Sequence, residues 1–113
     1  MKIRRVYHPE KKSKLPLQWK YLRNKAAICI IKNLINGEEL HPIMNNPCKH
    51  TRLSNVIMEI RKVIGHDQIL NKEYDEVKGV YYALVRKPEN IRKLNEIKAI
   101  ISAYLYQPLK GKR

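Results

Sequence analysis

The chain has 113 residues, with 24 Lys and Arg against 10 Asp and Glu, and a formal net charge of +14. Its length sets one domain as the expectation, and a hydrophobic content of 43% argues against wholesale disorder. The longest apolar run, Ala26-Ala27-Ile28-Cys29-Ile30-Ile31, is closed by Lys25 and Lys32 and falls far short of the ~18–20 residues that cross a bilayer, so no membrane partner is expected.

The basic N-terminal stretch carries neither the apolar run nor the small-residue cleavage site of a secretory signal. Two cysteines in a chain of this size do not make a disulfide framework, so a cytoplasmic, reducing setting is expected, with Cys29 a buried thiol in its apolar run. The strong positive field favours an anionic partner, of which nucleic acid is the commonest. The charge is concentrated at the two ends: residues 1–25 net +8, residues 88–113 net +4, and the middle adds +2 over residues 51–65. Solvated tails that serve solubility alone are the plainer reading of that pattern.

In chain order, residues 1–14 are read as a flexible basic arm, 15–107 as the folded domain and 108–113 as a basic tail. Pro16 opens a helix whose apolar positions run from Leu17 and Trp19 to Leu34 and Ile35, with a break near Arg23-Asn24 and a stop at Gly37. The connector 38–50 holds Pro42 and Pro47 and has room for one or two helical turns around Ile43-Met44. The stretch from Thr51 to Gly65 is the clearest element. Leu53, Val56, Ile57, Ile60 and Ile64 form one apolar stripe, Thr51 or His50 begins the helix, and Gly65 ends it. Gln68-Ile69-Leu70 and Val80 to Val85 read as two strands of a hairpin with a polar tip. Pro88 opens a last helix with the stripe Ile91, Leu94, Ile97, Ile100, Ile101, Tyr104 and Leu105, stopped by Pro108.

The sequence Thr51-Arg52-Leu53-Ser54-Asn55-Val56-Ile57-Met58-Glu59-Ile60-Arg61-Lys62, followed by Gly65 and by Tyr82-Ala83-Leu84, resembles the recognition helix and wing strand of small phage and prophage winged helix-turn-helix proteins. The resemblance covers roughly residues 24–87. It implies a mainly α fold with a small β-hairpin and a regulator-like protein that binds double-stranded DNA. The prolines of the connector are a departure from that pattern.

The residue types fit such a role. Base edges in a major groove are read by side chains with amide, guanidinium or ammonium groups. Thr51, Arg52, Asn55, Glu59 and Lys62 are expected on the outer face of the helix, with Arg52 suited to guanine, Asn55 to adenine and Glu59 to the cytosine amine. A solvated helix face is the alternative reading. Lys72 and Lys78 of the hairpin are expected near phosphate, although Glu73, Asp75 and Glu76 share the tip. Arg4, Arg5, Lys11, Lys12 and Lys14 of the arm are expected to follow the backbone. RNA or an acidic protein is the alternative partner. The last helix either covers the core or pairs two chains through residues 89–106.

Catalysis is not expected. Cys29, His41, Cys48, His50 and His66 match no tight metal-ligand spacing, Glu38-Glu39 and Asp75-Glu76 read as loop charges, and the four glycines form no phosphate loop. Neither metal nor cofactor is expected.

Overall fold

The computed structural model describes residues 19–74 and 79–106. The expected arm, the C-terminal tail and Lys78 lie outside the described residues.

Among the described residues, three α-helices and one antiparallel hairpin enclose an apolar core. The first helix among the described residues, α1 (Lys25–Ile35), starts later than the expected opening at Pro16. Residues 20–24 form bends rather than helix, because the backbone N–H groups of Lys20, Tyr21 and Leu22 are taken by the Glu59 carboxylate. Asn24 stays extended, and its Oδ1 accepts the Ala27 N–H at 3.0 Å, supplying one of the acceptors a helix start lacks. Gly37 closes the helix at φ +90°, a backbone conformation that L side chains rarely adopt.

The connector that follows contains no helix, because its backbone is held by side chains instead. His41 Nδ1 accepts the N–H groups of Ile43 and Met44. Asn45 donates to the Glu39 carbonyl at 2.7 Å, and Asn46 bonds to Pro42 and His50. These local bonds offer the chain an alternative to helical ladders. Leu40 makes a two-way backbone bridge to Tyr82, at 2.9 and 2.7 Å.

The connector is also tied covalently to α1. Cys29 and Cys48 form a disulfide with Cα atoms 5.7 Å apart, which corrects the expectation of two thiols. The reason is spatial. The connector folds back along α1 so that a residue 19 positions later meets the helix face, and Asn33, one turn after Cys29, donates toward both sulfurs.

Helix α2 (Leu53–Ile64) starts two residues later than Thr51, with Arg52 in the cap position and no side chain capping it. Gly65 ends it at φ +116°. Strands β1 (Ile69–Lys72) and β2 (Tyr81–Leu84) pair antiparallel, Ile69 opposite Leu84 and Lys72 opposite Tyr81. Helix α3 (Pro88–Leu105) then packs along α1. Its N-terminus is fixed by the buried Asn90, which donates to Gln68 and to the Val85 carbonyl.

The core joins Ile30, Ile31 and Leu34 of α1, Leu53, Val56, Ile57 and Ile60 of α2, and Leu94, Ile97 and Ile101 of α3. Trp19 and Leu22 close one end of it. Ile100, expected in the stripe of the last helix, is 40% exposed. No helix among the described residues is long and apolar enough to cross a membrane.

Candidate nucleic-acid interface

The face that α2 turns outward is set by which residues it buries. At 3.6 residues per turn, a stripe of Leu53, Val56, Ile57, Ile60 and Ile64 leaves Asn55, Met58 and Lys62 opposite, with Ser54 beside them. Ser54, Met58 and Lys62 are exposed and Asn55 is half-buried. These four, with Arg61, His66 and Tyr82 of β2, line a groove of about 570 Å³ between α2 and the hairpin.

Arg61 holds the two walls of that groove together. One of its terminal nitrogens, Nη2, donates to the Ile69 carbonyl at 2.5 Å and to Asn71 Oδ1 at 2.7 Å. Its guanidinium carbon lies 5.8 Å from the centre of the Tyr82 ring, a cation–π distance. The hairpin is therefore fixed relative to α2 from the last turn of the helix. The groove carries Arg61, Lys62 and His66 and no carboxylate among its lining residues.

Glu59 does not belong to this face, which corrects the expectation that it contacts a base. It is 5% exposed, and its carboxylate accepts the backbone N–H groups of Lys20 and Tyr21 at 2.8 Å and of Leu22 at 3.1 Å. Three residues on from the buried Val56, it sits on the flank of the stripe, where the incoming chain 19–23 crosses α2.

Thr51 and Arg52 are exposed ahead of the first turn of α2. The Arg52 N–H donates to His50 Nδ1 at 2.9 Å, a bond that needs the unprotonated imidazole. Burial holds the His50 pKa below its usual value, in the same sense. Lys72 lies on the hairpin away from the groove and pairs with Glu39 at 3.0 Å. Tyr74 donates a hydrogen bond to the same carboxylate. The Tyr74 hydroxyl, then Lys72, holds the Glu39 carboxyl below the ordinary range, and Glu39 raises Lys72 in return. The charge of Lys72 is thus compensated within the fold. Lys78, Arg4, Arg5, Lys11, Lys12 and Lys14 lie outside the described residues.

The groove adds Ser54, Met58, Arg61, His66 and Tyr82 to the residues expected from sequence. The helical spacing points to Met58 and Ser54, four and eight residues before Lys62. Tyr82 and Asn71 carry no such signal, since their place depends on how the hairpin docks. Among the described residues no three His, Cys, Asp or Glu side chains gather as metal ligands. Comparison of the chain with family models, curated proteins and solved structures finds no match.

Proposed function

We propose that the protein binds double-stranded DNA in the manner of a winged helix-turn-helix regulator, with α2 in the major groove and the hairpin beside it as the wing. The observation that carries this reading is the outward ridge of Ser54, Asn55, Met58 and Lys62, flanked by an arginine-braced hairpin and free of lining carboxylates. An α-helix with its side chains is about 10–12 Å across, and the major groove is about 12 Å wide. The Leu40–Tyr82 bridge supports the same architecture, since it sets the connector against β2 as a third edge of the wing sheet. Arg52, exposed ahead of α2, reaches base edges from the helix N-terminus, as recognition helices do. The arm residues Arg4, Arg5, Lys11, Lys12 and Lys14 supply phosphate contacts. The activity is binding without catalysis, exerted by occupancy of a site.

A cytoplasmic, nucleoid-associated site of action follows from the DNA partner. The Cys29–Cys48 bond pulls the other way, because such bonds persist in oxidising compartments. A homodimer through residues 89–106 would use the outer side of α3, because Leu94, Ile97 and Ile101 are committed to the core of their own chain.

The test is binding to duplexes recovered from a randomised pool, against single-stranded RNA of matched length. The full chain is expected to prefer the recovered duplex. The double variant Arg52→Ala, Asn55→Ala is expected to lose at least tenfold on that duplex, each base contact being worth ~1–3 kcal/mol. Unchanged affinity of the double variant, or preference for the RNA, contradicts the reading and favours the RNA- or protein-binding alternative.

A further inference from the structure

The groove beside α2 is uneven in a way that bears on which bases it takes. Met58 is 47% exposed at the middle of a helix face that is otherwise polar. Asn55 and Lys62 stand on either side of it along the helix. The one arginine in the groove, Arg61, has already spent Nη2 on the hairpin, on the Ile69 carbonyl and Asn71. The side chain best shaped to grip guanine O6 and N7 is therefore turned toward protein at the centre of the face. Midway along the face stand the Asn55 amide and the Met58 thioether, with Ser54 before them and Lys62 one turn after Met58.

On this basis, and resting on the duplex-reading function above, we propose that the centre of α2 selects an A·T step. Asn55 bonds adenine at N6 and N7, and Met58 covers the 5-methyl group of thymine. The major groove offers a single apolar handle, that methyl group, and an amide is the side-chain partner of adenine. The spacing agrees. Three residues of helix rise ~4.5 Å, and successive base pairs are ~3.4 Å apart, so Asn55 and Met58 meet the same pair or neighbours. An unbranched, polarisable methionine adapts to a methyl on either strand. Arg52, ahead of the helix and exposed, contacts the flank of the site rather than its centre.

The experiment resynthesises duplexes recovered from a randomised pool with deoxyuridine in place of each thymidine in turn, which removes one methyl group and nothing else. The wild-type chain is expected to lose about fourfold at one or two of those positions, the worth of one buried methyl-sized group. Met58→Gln is expected to bind the thymine and uracil duplexes alike. Because the uracil substitution is made on the DNA, its result does not depend on how any variant folds. Wild-type affinity that is indifferent to uracil everywhere overturns the proposal, as does a thymine preference that survives in Met58→Gln. Recovered duplexes that are G·C throughout overturn it too, while leaving duplex reading intact. A pool that yields no enriched duplex removes the duplex-reading function, and this inference with it.

Discussion

Glu59 shows how one side chain decides which part of α2 is available to a ligand. Read as an acid between Asn55 and Lys62, it looks like part of the outer face. In the fold it is a capping group for the chain entering α1, with Oε1 shared by Tyr21 and Leu22 and Oε2 taken by Lys20. The Leu22 N–H lies in the buried end of the core, where a donor without a partner is costly. Glu59→Ala is expected to lower the unfolding free energy by about 3 kcal/mol, the range for hydrogen bonds to a charged group, as measured by urea denaturation. Glu59→Gln keeps one carbonyl oxygen, enough for Tyr21 and Leu22, and is expected to recover about half of the loss. Both variants are expected to bind the selected duplex as the wild type does, once folded. A change of base preference in Glu59→Gln would return this residue to the interface. The sequence carried a sign of the outcome, since Glu59 stands three residues after Val56 and one before Ile60, on the margin of the apolar stripe. What it could not carry is the crossing of residues 20–22 over that margin, which is a tertiary event.

At the scale of elements, the regular parts were legible and the irregular part was not. Helix α2 follows from apolar spacings of three and four and from Gly65, and the hairpin follows from two β-prone runs around a polar tip. The connector has no period to read. It is held by His41, Asn45 and Asn46 acting on nearby backbone, and by a disulfide whose pairing requires knowing that Cys48 returns to α1. The Cys29–Cys48 link closes a loop with a sequence separation of 19. By chain entropy a loop of that size stabilises by about 3 kcal/mol. Cys48→Ser is expected to lower the stability of the oxidised protein by about that amount, and to make it insensitive to added dithiol reductant. If wild type and Cys48→Ser unfold at the same urea concentration under oxidising conditions, the tie contributes nothing to the fold. The connector leads directly into Arg52 and the first turn of α2, so the same tie also limits how far the start of α2 moves.

For the molecule as a whole, the question is which surface an anionic partner meets. The described residues hold 14 Lys and Arg and 7 Asp and Glu, so half of the net charge of +14 belongs to residues outside them, most of it in the basic N-terminal stretch. Within the fold, several acids are already matched: Glu39 with Lys72, Glu89 with Lys93 and Glu96 with Arg92. The α2 groove, by contrast, presents cations that face no lining acid. A second shallow depression lies on the outer side of α3, along Pro88, Ile91, Arg92, Asn95, Glu96 and Ala99, and its two charges already pair with each other. The two surfaces lie on different helices, so they can be told apart residue by residue. The most direct measurement is an NMR titration of the isotope-labelled full chain with a selected duplex about two helical turns long. Duplex binding through α2 predicts that backbone and side-chain signals of Arg52, Ser54, Asn55, Met58, Lys62 and His66 shift, while those of Arg92, Asn95 and Ala99 stay in place. Shifts confined to α3, with the signals of α2 unmoved, would contradict it.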